Sequence, residues 1–300
     1  MWLPVSAPST GREGAVVVKE VAAGERSTHE RAALARVAGL DHPNLLPVLA
    51  LWDHDAADHG IGLSVVMPYV AGGTLRDLLE SRGALTAGGV VAVVASLTGA
   101  IQALHGVGLV HGDVKPENIL FDLDGTPLLA DPATLSGGHL LRSSIAYAAP
   151  EVHAGRVGLA ADIYSLAVVA YESLTARRPH GGSRAQIQVA SSRGLHRSLT
   201  SWPSVPTATA EVVERALDPN PAQRPATVES FAQLLAATVT ADQIVLPIPE
   251  PGACPSLWVD QETTTIDLGL RSRPGLDPDP RPARLRAWPT RRRSQSRRCP

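Results

Sequence analysis

The stretch HGDVKPENILFDLDGTPLLAD, His111 to Asp131, decides how this chain is read. It places Asp113, Lys115, Asn118 and Asp131 in a fixed order, with an interval of 18 residues from the first aspartate to the last. Lys115 is one of two lysines among 27 basic residues, the other being Lys19 in AVVVKEV. Asn118 is one of three asparagines, with Asn44 and Asn220. A genome biased towards GC explains the arginines and leaves the two lysines informative. Arginine's planar fork suits carboxylates, whereas lysine is a compact point charge that fits beside a phosphate. Transfer of a phosphoryl group from ATP asks little covalent help of a protein. It needs metal ions on the phosphates, cations facing the developing charge and a group to orient the attacking hydroxyl. Asn118 and Asp131 offer oxygens to Mg2+, Lys115 offers a phosphate contact, and Asp113 offers an acceptor for a hydroxyl proton.

Three hundred residues suffice for one large domain or two lobes. The hydrophobic fraction is 44% but aromatics are only 4%, so the core must be aliphatic. Net charge is −2, yet residues 271–300 hold ten arginines against Asp277 and Asp279, about +8, leaving about −10 on residues 1–270. An acidic body with a basic tail argues against a nucleic-acid-binding domain. The two cysteines, Cys254 and Cys299, have no metal-ligand spacing, and a reducing cytoplasm is the expected compartment. Residues 1–8 lack the features of a signal peptide. The most apolar stretch, 90–110, is interrupted by Ser96, Thr98, Gln102 and His105, as suits a buried helix rather than a membrane span.

Residues 14–21 read as a strand, Ser27–Leu40 as a helix, and Leu45–Leu51 and Ile61–Met67 as two further strands. Gly72-Gly73 then breaks the pattern and Thr74 caps a helix to Ser81. Helices follow at Val90–His105, Asp162–Thr175, Glu211–Leu217 and Val228–Val239, with short strands at Ile119–Phe121 and Pro127–Ala130. After Ala241 periodicity is lost in proline- and arginine-rich sequence expected to be disordered. The basic tail is expected to be solvated charge, with a membrane surface or acidic partners as the alternative.

With these residues in place, the chain resembles the bacterial eukaryotic-type serine/threonine protein kinases over about residues 1–240. His111, Asp113, Lys115, Pro116 and Asn118 match the family's catalytic-loop pattern, with Gly112 in place of its arginine. Asp131-Pro132-Ala133 stands where the family has Asp-Phe-Gly, Ala149-Pro150-Glu151 matches its Ala-Pro-Glu, and Arg224 matches the arginine that pairs with that glutamate. Asp162-Ile163-Tyr164-Ser165-Leu166 resembles a buried helix of the family. The resemblance implies an α+β, bilobal protein-kinase-like fold. Residues 1–69 would form a small β-rich N-lobe, 70–240 a larger helical C-lobe, and 241–300 a disordered tail. It also implies ATP and Mg2+ as cofactors and a protein hydroxyl as substrate. Asp113 and Lys115 would be catalytic. Lys19, Glu30, Met67, Pro68, Val70, Asn118 and Asp131 would hold the nucleotide, the middle three as the hinge, with Asn118 and Asp131 on the metal. No transmembrane segment is expected.

Several departures bear on activity. No glycine-rich loop precedes Lys19, where Gly11 and Gly14 look like a later turn, so the N-lobe reads as lacking its first strand. A start placed too far downstream is the favoured explanation. Glu30 lies eleven residues after Lys19; it either pairs with that lysine or closes a capping box with Ser27. Gly112 makes control by loop phosphorylation less expected, although Thr134, Ser136, Ser143 and Ser144 could accept phosphate. Pro132 stiffens the metal-binding turn. His111 is expected to brace the loop rather than to react. Beside the active kinase stand two alternatives: a pseudokinase that serves as a nucleotide-binding or scaffold module, and a small-molecule phosphotransferase whose loop also begins His-Gly-Asp. Lys115, the Ala-Pro-Glu string and Arg224 weigh against the last.

Overall fold

The computed structural model describes residues 2–6, 13–21, 28–56, 60–132 and 145–244. The expectations for the tail beyond 244, for Gly11, and for the hydroxyls at 134, 136, 143 and 144 lie outside these residues. Strands β1 (Trp2–Ser6), β2 (Glu13–Val21), β3 (Ala50–Ala56) and β4 (Gly60–Pro68) form an antiparallel sheet in the order β1-β2-β4-β3. Helix α1 (Thr28–Ala38) comes between β2 and β3. The valines of β2 alternate: Val16 and Val18 are buried with Val66, while Val17 and Lys19 emerge on the other face. That period of two places Lys19 opposite Val65.

The strand expected at 45–51 begins only at Ala50. Pro47 has no amide to give a ladder, and Leu45 instead makes a lone bridge to Leu129. Residues 42–46 thereby fasten the sheet to the helical lobe. The Asn44 side-chain amide donates to the Pro127 carbonyl at 2.8 Å, and the backbone pairs Leu129 N to Asn44 O and Leu46 N to Leu129 O, each 2.8 Å. His42 accepts from the Asn44 amide and lies on Gly99, where a Cβ would come within 2.6 Å of the ring. Gly99→Ala therefore forces the ring off its hydrogen bond. Overpacking at about 1–3 kcal/mol exceeds the helix-propensity gain of about 1 kcal/mol. Urea unfolding should show a net loss, and an equal or higher midpoint would contradict this contact.

The helical lobe is built on α3 (Ala87–Gly106) and α5 (Leu159–Thr175). Leu97, Ala100, Ile101 and Leu104 of α3 and nearly every residue of α5 are buried, which accounts for their apolar character all round. α3 is the one helix among the described residues long and apolar enough to cross a membrane, but 67% of its apolar window is buried within the protein. The hydroxyls of Ser96 and Thr98 are satisfied by the carbonyls of Ala92 and Val94. α2 (Leu75–Arg82) precedes α3, and the hairpin of β5 (Ile119–Phe121) and β6 (Pro127–Leu129) follows it. Next come α4 (Pro150–His153), α6 (Arg184–Ser192), α7 (Thr207–Ala216) and α8 (Val228–Ala236). α6 was not expected from periodicity. Its signal is the capping box of Ser183 and Gln186. Packing continues past the boundary expected at 240: Asp242 bonds to Thr86 and Gly88 at the start of α3, and Ile244 packs against the core.

Candidate active site

The loop from His111 to Asn118 is held from beneath. Asp162, in the first turn of α5 and fully buried, accepts the amides of His111 and Gly112 at 2.8 Å each and meets the His105 ring at 2.7 Å. Gly112 has φ 74, a left-handed conformation that glycine adopts without a Cβ penalty. His111 is wholly buried, and burial lowers its pKa below the usual imidazole value. Its Nδ1 accepts from the Asp113 amide and its Nε2 donates to the Ala130 carbonyl at 3.0 Å. The ring thus braces the loop against the strand leading to Asp131, as the sequence suggested.

Asp113 is nearly buried, and its Oδ2 receives Lys115 Nζ at 2.6 Å and Asn118 Nδ2 at 3.0 Å. The same Asn118 amide also donates to the Asp113 carbonyl at 2.8 Å. Pro116 opens a short 3-10 turn, Pro116–Asn118, that folds Asn118 back onto the aspartate. The Ala130 amide then bonds to the Asn118 carbonyl at 2.8 Å, so Asp131 follows directly beside this turn.

Asp131 has φ 52, one of two non-glycine residues with positive φ among those described. Aspartate tolerates this region better than most residues, and Pro132 disfavours the right-handed alternative at the residue before it. Ala133 lies outside the described residues. Lys19 Nζ makes an ion pair with Asp131 Oδ1, joining β2 to the turn at Asp131. Glu30, expected either to pair with Lys19 or to close a capping box with Ser27, lies in the first turn of α1; its side chain and Ser27 lie outside the described residues, and both readings fall there with them. Met67 and Val70 pack against Leu46, Leu120 and Ala130 next to Asp131, while Pro68 ends β4 opposite Val16. Met67 and Val70, expected as part of a hinge, therefore border the same place as the charged set.

Further out, Arg224 grips Glu151 through two bonds of 2.7 and 2.8 Å, with its guanidinium over the Tyr164 ring at 4.9 Å. The Tyr164 hydroxyl meets His180 Nε2 at 2.9 Å. His180 and His153 are both pushed below the ordinary value of 6.5, chiefly by burial, with the charge of Arg184 adding at His153. The folded protein holds them neutral, whereas the unfolded chain protonates them below about 6.5. Stability is thus complete above that pH and falls as pH drops towards the lower folded values, by up to about 1.4 kcal/mol per pH unit per histidine. Together with the buried His111, these two histidines should make urea midpoints decline between about pH 6.5 and 5.5, and a flat profile would mean that none of the three rings is held neutral by burial.

The model of the protein kinase domain matches residues 7–236. This chain belongs to the protein kinase domain family. The chain is 35% identical over 213 residues to serine/threonine-protein kinase PknL of Mycobacterium tuberculosis, a match covering 66% of this chain and 53% of that one. It is 33% identical over 216 residues to PkaA of Streptomyces coelicolor, covering 67% of this chain and 37% of that protein. The match thus takes in about half or less of these relatives' length. Among solved structures, the crystal structure of Rad53 1-466 in complex with AMP-PNP superposes with a TM-score of 0.63 at 22% identity, covering 73% of this chain and 57% of that one. That likeness bears out the bilobal α+β fold. Sequence reasoning quoted Asp162 only as part of a helix motif and missed its grip on the loop. It also passed over Arg76, Tyr147 and Glu172.

Proposed function

We propose that this kinase transfers the γ-phosphate of ATP, with Mg2+, to serine or threonine hydroxyls of proteins, using an N-lobe of about residues 1–69 and a C-lobe from 70. The observation that carries this reading is the convergence of Lys115 and Asn118 on Asp113, next to the pair of Lys19 and Asp131. Asp113 orients the attacking hydroxyl and accepts its proton. Lys115, already on that carboxylate, faces the charge that develops on transfer. Lys19 positions the nucleotide phosphates, and the backbone from Met67 to Val70 meets the base. Asn118 spends its amide nitrogen on Asp113, which leaves its carbonyl oxygen, with the Asp131 carboxylate, as the donors that a hard cation prefers. When bound, Mg2+ neutralises phosphate charge. Labelled ATP with magnesium should label a generic basic protein. Asp131→Asn or excess chelator should abolish the label, and transfer unaffected by either would remove Asp131 from the site.

One observation favours the pseudokinase alternative. Pro132 and Ala133 stand where the family has the phenylalanine and glycine of its metal-binding turn. Nucleotide binding with no transfer under any metal would select that reading.

A further inference from the structure

Three side chains from three separate segments meet at the guanidinium of Arg76, beside the catalytic turn. Arg76, the second residue of α2, donates through Nε to Glu117 Oε1 at 2.8 Å and through Nη1 to Glu172 Oε1 at 3.0 Å. Its Nη2 reaches the Tyr147 hydroxyl at 2.5 Å and Glu172 Oε2 at 3.3 Å. The Tyr147 hydroxyl in turn donates to Glu172 Oε2 at 2.5 Å. Glu117 sits in the 3-10 turn between Lys115 and Asn118. Tyr147 lies two residues before the Ala149-Pro150-Glu151 string, and Glu172 projects from α5.

We propose that Arg76 is a positioning residue, fixing the turn that carries Lys115 and Asn118 to the segment entering Ala149-Pro150-Glu151. The proposal rests on the kinase reading only for its catalytic consequence. Both ends of the contact are anchored in the backbone. Thr74 and Asp77 close a capping box that sets the first turn of α2, and Thr74 also bridges to Leu120, two residues beyond Asn118. Tyr147 is held from its other side by Ser165, whose hydroxyl donates to the Tyr147 carbonyl at 2.9 Å.

An ordinary surface ion pair would have little hold on the loop, because solvent screens it and two long side chains lose entropy. This cluster differs in burial and geometry. Glu172 and Tyr147 are buried and Arg76 is 24% exposed. The guanidinium is a rigid fork that can serve three acceptors at fixed angles, which an ammonium cannot. Burial opposes the Arg76 charge, but its hydrogen bonds to Glu172 and Glu117 outweigh that and raise its pKa. Burial, then the negative charge of Glu172, pushes the Tyr147 phenol upward, which keeps its proton in place for donation to Glu172. One cation thus orders three acceptors, and one of these is the immediate neighbour of Asn118.

The test compares Arg76→Met, Arg76→Lys and Tyr147→Phe by hydrogen exchange and by steady-state transfer. In Arg76→Met, amides of 114–121 and 145–152 should exchange at least about tenfold faster while α5 and α8 stay protected. Its kcat should fall by about tenfold to a hundredfold with KM for ATP nearly unchanged. Arg76→Lys should recover little. Tyr147→Phe, which removes only a hydroxyl, should loosen 145–152 and lower kcat by a smaller factor. Unchanged exchange in 114–121, or protection lost evenly throughout the protein, would overturn the proposal, as would full recovery by lysine. If the wild type transfers no phosphate, the kinase reading fails on that arm alone and the exchange arm still decides whether Arg76 positions the turn.

Discussion

Asp113→Asn should reduce phosphoryl transfer by about 10²- to 10⁴-fold, the range that a positioned acid–base group contributes. The substitution keeps the shape of the side chain and an oxygen for Lys115 Nζ and Asn118 Nδ2, which now meet at Asp113 Oδ2 at 2.6 and 3.0 Å. What it removes is the charge and the ability to accept a hydroxyl proton. The loop should survive the change, because its scaffold is made elsewhere. Asp162 holds the amides of His111 and Gly112, His111 braces Ala130, and the Asn118 amide still bonds to the backbone carbonyl of residue 113. The nucleotide contacts assigned to Lys19 and Asp131 are separate groups, so KM for ATP should change by no more than about threefold, a loss of rate without a loss of binding. Steady-state kinetics with a protein substrate, alongside a thermal melt, would decide. A variant that keeps more than about a tenth of the wild-type rate would show that Asp113 does not supply the acid–base contribution, and the roles of Lys115 and Asn118 as its partners would fall with it.

The site was legible in the sequence where its geometry is local. Asp113, Lys115 and Asn118 lie within six residues, and a proline at the start of a single turn is enough to bring them together. Lys19 was legible for another reason: a chain with 27 basic residues retains lysine at two positions, and those positions enter the site. The pairing of Lys19 with Asp131 was not legible. The two lie 112 residues apart, and their meeting depends on how the sheet sits on the lower lobe through His42, Asn44 and Leu46, which no local pattern encodes. Asp162 and Arg76 were hidden by sequence distance, 51 residues from His111 and 96 from Glu172 respectively. In sequence Arg76 reads as an ordinary charge in the first turn of a helix, and Asp162 as the start of a buried-helix motif with no sign of what it grips. The break at Pro47 could have been read, since proline cannot serve a central strand. α6 exposes most of its residues, so its apolar period is weak and only its capping box marks it.

The largest stability effect should come from a pair far from the reacting groups. Arg224 is 3% exposed, and every polar contact that surrounds its guanidinium is an acceptor: both oxygens of Glu151, and the carbonyls of Ala160, Asp218 and Pro219. The face of Tyr164 covers it. Glu151→Gln keeps the shape but leaves a buried cation without a counter-charge, which costs about 3–5 kcal/mol when one member of such a pair is removed. Arg224→Met leaves the Glu151 carboxylate in the same position and should cost a similar amount. Against the total of about 5–15 kcal/mol that holds a typical domain together, either change brings the protein close to unfolding at body temperature. The double variant, Glu151→Met with Arg224→Met, should lose less than the sum of the two single losses. Neither charge then remains uncompensated, and methionine fills much of the volume. Urea unfolding of the four proteins measures this directly as a coupling energy. Additive losses would mean that the two groups are independently solvated, and that Glu151 is not what ties the Ala149-Pro150-Glu151 string to the helices below it. A coupling of several kcal/mol would place the anchor of that string at Arg224, about 73 residues away in sequence. The segment that Tyr147 and Arg76 hold at one end would then be fixed at the other by a second, independent cation.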